Sequence, residues 1–279
     1  MTVTTGVRDL TNDDLRAAIV LLLQRPVENL FVSSRLRLAG LEPFTLGCSV
    51  WGYESEGELR AMLHAGSNFV PVNADHEALV AFADRAGARR CSSITGESEM
   101  VMDLWRLLCE RHASWQNPRE VRARQLVMVI DHDPIIEPEL KVQRITEDVI
   151  EPYFDAAVKM YTEEVGVSPV EGSPAAYRSY VSQLIKKGRA FGIVDNGETI
   201  FKADLGCVSG QLCQVQGVWL HPRLRGRGLA PAMMAQVVAL ARQEHPLVSL
   251  YVNDFNERAV ATYRRVGFRD HGTFATILY

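Results

Sequence analysis

The sequence lacks most of the features that sort a chain at a glance. The longest apolar stretch near its start, Ala17–Leu23, is far short of the ~20 residues that span a bilayer, and no basic segment with a long apolar core opens the chain. No signal peptide and no membrane partner are expected, and the expected location is the cytoplasm. Basic residues are not in excess: the formal net charge is −4, so nucleic acid is not the expected partner. The five cysteines are odd in number and form no C-x-x-C pair. Cys207 and Cys213 flank the turn signal Ser209-Gly210, where a disulfide is conceivable, but buried free thiols suit a cytoplasmic chain better. The seven histidines include no His-x-x-x-His pair, so no metal site is expected.

What is present suits a globular protein with a core of its own. Hydrophobic residues make up 47% of the 279 positions and charged residues 23%. At ~100–200 residues per domain the length suggests two domains. The sharpest change in composition is Asp131–Glu139, where two prolines and four acids surround two isoleucines; it reads as an extended linker. The expected division is residues 1–132, a linker at 133–140, and residues 141–279.

The second part alternates clearly. A strand at Lys141–Ile145 leads to a helix from Asp148 to Tyr161 and another from Ala175 to Lys187, started by Ser173-Pro174 and stopped by Gly188. Strands at Ala190–Val194 and Thr199–Cys207 meet at Asp195-Asn196-Gly197, a hairpin signal, and Leu212–Leu220 follows. A helix at Leu229–Glu244, a strand at Val248–Val252, a helix at Glu257–Val266 and a last strand to Tyr279 complete the order β-α-α-β-β-β-α-β-α-β. The first part predicts helices at Asp13–Gln24 and Pro26–Ala39. A hairpin follows, Phe44–Tyr53 with Leu59–His64, and then a strand at Asn68–Val72. Helices at Asp75–Arg85 and Glu97–Arg111 are separated by a strand at Arg90–Ile94, and a strand at Gln125–Ile130 ends the series. The two orders nearly coincide. The fold class read from them is α/β (α+β), two mixed-sheet domains in tandem, the N-terminal one a degenerate copy.

The chemistry concentrates at Gln216–Ala230. A strand ends at Leu220, and Pro222 cannot continue its ladder. Gly226 and Gly228 permit positive φ, so successive amides can converge on one anion. The helix that follows adds unpaired N–H groups and a partial positive charge, and Pro231 is harmless in its first turn. Arg223, Arg225 and Arg227 supply counter-charge to phosphate. No Gly-Lys-Ser/Thr follows, and there is no G-x-G-x-x-G fingerprint.

Arg223-Leu224-Arg225-Gly226-Arg227-Gly228 matches the R/Q-x-x-G-x-G/A signature of GNAT acetyltransferases in a strand-loop-helix setting, and the chain resembles that superfamily over about Lys141–Tyr279. Asn256, Ala259, Tyr263 and Gly267-Phe268 fit a second pattern of the family, N-x-x-A-x-x-x-Y with G-F closing the helix. The resemblance implies two GNAT-like domains, the second binding acetyl-CoA and releasing CoA. Its contacts would be the backbone of Val218 and Leu220, the loop Arg223, Arg225, Gly226, Arg227, Gly228, Leu229 and Ala230, and the side chains of Asn256 and Tyr263. Tyr263 would return a proton to the departing thiolate. The strand Leu212–Leu220 should splay from Val248–Val252 to expose those amides.

The general base is less clearly marked. Many GNAT enzymes carry a glutamate early in the strand before the phosphate loop, and here that place holds Gln214. Three acids are candidates: Glu164 first, then Glu163, both at a helix end that often covers the acceptor, and Asp204. Alternatively, Glu163 and Glu164 are a solvated helix end, Asp204 is an inward-facing acid paired with Lys202 or an arginine, and a water relays the proton. The implied acceptor is a primary amine, of a small molecule or a protein.

The whole chain also resembles bacterial two-domain GNAT proteins with an N-terminal domain of unassigned function. Asn29-Leu30-Phe31, Trp51-Gly52-Tyr53, Pro118–Arg122 and Gly272–Thr276 contribute to that likeness. The N-terminal counterpart of the phosphate loop, Asn73-Ala74-Asp75-His76-Glu77, has no G-x-G and carries acids, so a single CoA per chain is expected. A non-catalytic acyl-CoA-binding regulatory module, or a fusion in which the N-terminal half completes the acceptor pocket, are the competing expectations. No oligomeric state is assigned.

Overall fold

The computed structural model describes residues 6–171 and 173–279. In chain order the first half contains β1 (Gly6–Asp9), α1 (Leu15–Leu23), α2 (Leu30–Ala39), α3 (Pro43–Leu46), β2 (Ser49–Ser55), β3 (Glu58–Ala65), β4 (Asn68–Val72), α4 (His76–Ala86), β5 (Ser93–Glu97), α5 (Ser98–Arg111) and β6 (Glu120–Ile130). The second contains β7 (Gln143–Arg144), α6 (Ile150–Val165), α7 (Pro174–Lys186), β8 (Ala190–Asp195), β9 (Glu198–Ser209), β10 (Leu212–Leu220), α8 (Ala230–Arg242), β11 (Leu247–Asn253), α9 (Glu257–Val266) and β12 (Arg269–Leu278). Apart from α3, one half repeats the other element for element. The mixed α/β class read from the sequence is the observed one.

By contact the chain divides into two compact units. The first comprises the residues up to Val127 together with Tyr251–Phe255 and His271–Tyr279. Its strands run β1-β2-β3-β4-β5-β12, antiparallel throughout except for the parallel pair β4–β5. Strand alternation sorts neighbouring residues into two layers. Ala61, Leu63 and Phe69 pack with Phe82, Leu104 and Trp115 of the α4–α5 side. Met62, Val70 and Val72 pack with Leu22, Val32 and Leu36 of the α1–α2 side. The β2–β3 turn places Glu56 and Gly57 at φ 56° and 78°, the left-handed pair that suits a two-residue hairpin.

The second unit comprises Met128–Leu250 and Asn256–Asp270. Its strands run β11-β10-β9-β8-β7. Tyr153 and Ala157 of α6 and Val181, Leu184 and Ile185 of α7 form one core cluster with Ala190. Helix α8 buries Met234, Val237 and Val238. The acidic stretch read as a linker is bound to this unit. The Ile135 N–H donates to Val266 O at 3.0 Å and the Glu139 N–H to Ala232 O at 2.9 Å. Arg242 pairs with Asp133 and donates to Asp131 O, and Arg269 pairs with Asp131 at 2.9 Å.

Several elements depart from the sequence expectation. Strand β1 falls in a stretch with no expected element. Phe44 lies in α3 rather than in a strand: Pro43 presets the first turn and Gly47, at φ 80°, ends it, leaving Phe44 94% exposed. Pro26–Asn29 is a turn rather than the start of a helix, and β5 begins after Arg89 and Arg90, whose side chains stay outside. The last strand, expected within the second domain, pairs with β5 from Phe274↔Glu97 to Leu278↔Ser93.

Candidate active site

The site grows from the way β10 is paired. It runs parallel to β11 only at Leu212↔Leu247, Cys213↔Val248 and Gln214↔Ser249. The Ser249 hydroxyl, fully buried, donates to Cys213 O at 3.0 Å beside the last of these pairs. Beyond it no further ladder pair with β11 is found among the described residues, which leaves that edge of Val215–Leu220 without a strand partner. On its other side β10 pairs with β9, and the register shifts between Gln216↔Asp204 and Trp219↔Lys202. Gly217 and Val218 therefore stand opposite the single residue Ala203, a β-bulge with Gly217 at φ 58°.

Beyond the strand, Pro222–Leu224 forms one 3₁₀ turn. Gly226 and Gly228 take φ 76° and 71°, and α8 begins at Ala230 with Pro231 in its first turn and no side chain capping it. A Cβ at either glycine would meet nothing within 4 Å, so both are required for conformation and not for space. The family signature also fits two residues later, as Arg225-x-x-Gly228-x-Ala230, and that phase sets Ala230 at the first residue of the helix. Arg223 pairs with Glu198. Arg225 pairs with Glu163 at 2.7 Å and donates to Leu220 O at 2.9 Å. Arg227 is exposed, with no ion pair among the described residues.

The matching stretch of the first unit is built differently. Between β4 and α4 lie three residues, Asn73–Asp75. Asn73, at φ 50°, donates to Leu21 O at 2.8 Å and accepts from the Asn29 amide at 3.0 Å. The Ala74 N–H points at Met100 Sδ at 3.2 Å, and Asp75 caps α4 by accepting from the Ala78 N–H at 2.9 Å. One loop amide and one first-turn amide are occupied, and a carboxylate already stands at the helix N-terminus.

Helix α9 closes the second unit's site. Asn256 caps it, its Oδ1 accepting from the Ala259 N–H at 3.2 Å, which leaves the amide nitrogen for other partners. Two turns on, Tyr263 is buried with its ring edge-on to Phe268. No hydrogen bond to its hydroxyl is found among the described residues. Burial, aided by the negative charge of Glu164, holds that hydroxyl well above the ordinary tyrosine pKa, so it stays protonated.

The candidate acids are held in unlike ways. Glu163 accepts from the Trp219 indole at 3.2 Å and from Arg225, tying the end of α6 to the loop. Glu164 is exposed and near enough to raise the pKa of Tyr263 and Tyr177. Asp204 is buried with both oxygens committed: Oδ1 accepts from the Tyr153 hydroxyl at 2.6 Å and Oδ2 from Lys202 at 2.6 Å. This is the paired, inward-facing acid rather than a proton acceptor open to a substrate. Gln214 is buried beside the last β10–β11 pair. Tyr153, Trp219 and Gly217 were not among the sequence candidates. Gly217 carried a signal, a glycine inside an apolar strand, which marks a bulge; Tyr153 carried none. All five cysteines are free, and no group of His, Cys, Asp and Glu that could hold a metal occurs among the described residues.

Comparison with known proteins places this geometry. The model of the acetyltransferase (GNAT) family matches residues 186–268, from the end of α7 through α9. A second model, a domain of unknown function (DUF4081), matches residues 48–153. No curated protein matches. Among solved structures, a GNAT-family acetyltransferase from Colwellia psychrerythraea is similar over 98% of this chain and 99% of its own, with a TM-score of 0.57 and 11% identity. A GCN5-related N-acetyltransferase from Sphaerobacter thermophilus gives 0.58 at 16% identity, covering 97% of this chain and 93% of its own. A tandem GNAT protein from the clavulanic acid biosynthesis pathway gives 0.52 at 14% identity, covering 99% and 98%. At these identities the likeness is one of fold, and it extends over both halves. No helix among the described residues is long and apolar enough to cross a membrane.

Proposed function

We propose that the protein is an acetyl-CoA-dependent N-acetyltransferase that acts on a primary amine by direct attack on the thioester. The observation that carries this reading is the uncapped α8 N-terminus behind the Gly226/Gly228 loop, at the mouth of the β10–β11 opening. Residues 141–279 would be the transferase domain, joined through 133–140 to an N-terminal domain, residues 1–132, without a CoA site of its own. Val218 and Leu220 would offer backbone groups to the pantetheine and the thioester oxygen. The loop from Arg223 to Ala230 would hold the pyrophosphate, with Asn256 on the cofactor arm.

In the reaction the amine nitrogen bonds to the acetyl carbon and the carbon–sulfur bond breaks. The base takes the amine proton, and Tyr263 donates a proton to the thiolate, giving the acetamide and CoA. Glu164 is the preferred base, since it already acts electrostatically on Tyr263. Asp204 accepts from Tyr153 and Lys202, and Glu163 from Trp219 and Arg225. That same engagement of two acids, with Gln214 in place of a glutamate, favours the second reading, a non-catalytic acyl-CoA-binding module.

A calorimetric titration with CoA and a free-thiol assay over a panel of amines, peptide N-termini and lysine peptides test both. CoA binding with amine-dependent thiol release supports the transferase. Binding without release from any acceptor supports the module, and no saturable binding overturns both. With an acceptor in hand, loss of the rising limb of the pH–rate profile in Glu164→Gln identifies the base. An unchanged limb in Glu164→Gln, Glu163→Gln and Asp204→Asn points to a water relay.

A further inference from the structure

Strand β9 places Lys202 and Asp204 two residues apart on one face, directly under the bulge of β10. Lys202 is fully buried, an uncommon position for an ammonium and one that demands partners. It has Asp204 Oδ2 at 2.6 Å and the Gly217 carbonyl oxygen at 2.9 Å, and it lies 5.3 Å from the centre of the Tyr153 ring. A Cβ on Gly217 would come within 3.0 Å of Asp204 Oδ2, Lys202 Nζ and Met160 Cε, so the bulge rests directly on the ion pair.

The direction of that carbonyl matters. The peptide unit is planar and trans, so a C=O turned inward obliges the N–H of the next residue to turn outward. The Gly217 oxygen is held inside by Lys202, and the next N–H is that of Val218. Neither residue has a Cα partner on β9, so the neighbouring strand does not set this peptide's orientation. The ammonium also polarises the peptide it holds, which strengthens the N–H as a donor.

We infer that Lys202 is a positioning residue: its ammonium, neutralised by Asp204, locks the Gly217–Val218 peptide so that the Val218 N–H faces the opening and meets the thioester oxygen of the acyl donor. The inference rests on the CoA-dependent reading above. A structural ion pair would account for the burial; it would not require that the second hydrogen-bond partner of the ammonium be the one carbonyl whose peptide carries that N–H.

The test reads the bound thioester rather than turnover. Acetyl-CoA labelled with ¹³C at the acetyl carbonyl is bound to the full chain, and the carbonyl stretch is measured by isotope-edited infrared difference spectroscopy. In the wild type the band should move to lower frequency than in free acetyl-CoA. Lys202→Met should lose most of that shift, with CoA affinity by calorimetry within about threefold of wild type, because the phosphate loop is untouched. Lys202→Met leaves Asp204 buried without its cation, so Lys202→Met/Asp204→Leu is the companion variant. Replacing both ends of a buried pair with apolar groups is often tolerated, and the Tyr153 hydroxyl keeps Phe191 O and Ala203 O as acceptors at 3.2 Å.

Once an acceptor is known, kcat should fall at least about tenfold, toward the ~10²–10³ lost with an oxyanion donor, with KM for acetyl-CoA little changed. An unshifted band in the wild type, or a wild-type shift retained in the folded double variant, overturns the inference while leaving CoA binding intact. Absence of CoA binding in the wild type overturns the CoA-dependent reading and this one with it.

Discussion

Two crossings from a strand to a helix stand at matching places in the repeated order, after β4 and after β10. Both follow a short parallel pairing that ends early, at Phe69↔Ile94 in one and Gln214↔Ser249 in the other. The strand separation is thus common to both. What differs is the use of the helix N-terminus. After β4 three residues suffice, and Asp75 satisfies an α4 amide from within the chain. After β10 nine residues intervene, two glycines take left-handed conformations, and α8 has no side-chain cap. Every helix leaves its first N–H groups unsatisfied, and a chain can answer them itself or leave them for a ligand. The first unit does the former; in the second no side chain caps the helix, on the same architecture.

The contrast can be broken by altering either side. The largest effect is expected from Gly228→Asp, which sets a carboxylate one residue before the N-cap of α8 and forces a side chain onto φ 71°. CoA affinity should fall more than about a hundredfold, through repulsion of the pyrophosphate and loss of the loop geometry. Calorimetry, with circular dichroism to confirm the fold, checks it. Equal affinity in the folded variant would remove the loop from the CoA site.

Next in size is Tyr263→Phe, which removes only a hydroxyl. Turnover should fall roughly ten- to a hundredfold or more with acetyl-CoA affinity nearly unchanged, near the ~10²–10⁴ range of general acid–base steps. The raised pKa of Tyr263 has a sign to test: the acid stays protonated above the ordinary tyrosine value near ~10, so an alkaline decline below that pH must belong to another group. Glu163→Gln should do less. It frees Arg225 from an exposed ion pair worth about 0.2–1 kcal/mol, and so should tighten CoA binding by no more than about fivefold. Asp75→Ala should leave CoA affinity and the stoichiometry of one CoA per chain unchanged. It should cost the chain about 1 kcal/mol of stability, seen as a lower denaturation midpoint of the first unit. A second CoA bound per chain would erase the distinction between the two crossings.

How much of this could be read from the residues depends on how local the cause is. Asn196 and Gly197 take φ 50° and 77° because a two-residue hairpin needs that pair, and Asp195-Asn196-Gly197 announces it. Gly226 and Gly228, at φ 76° and 71°, are legible for a like reason. Helix α3 had local marks too, Pro43 at its start and Gly47 past its end, but Phe44 and Thr45 suit a strand as well and weighed against them. Strand β12 was legible as a strand and not in its placement. Alternation shows which face of a strand is buried and says nothing of which edge it will join. Lys202 and Asp204 show as a polar pair between Phe201, Ala203 and Leu205, so their pairing was readable. That Lys202 also meets a carbonyl of β10 depends on a register slip of one residue, which no composition rule specifies.

The placement of β12 also bears on the order of events during synthesis. The edge of β5 that it covers is exposed as soon as Ser93–Glu97 leaves the ribosome, and its partner is encoded at His271–Leu278. At ~5–20 residues per second the wait is roughly ten to forty seconds, during which a strand edge stands open in a partly assembled unit. A nascent chain halted after α9 would therefore present its weakness far from where translation stopped, in the half made first. Chaperone crosslinks on such stalled chains should concentrate at β5 and disappear once β12 has left the ribosome.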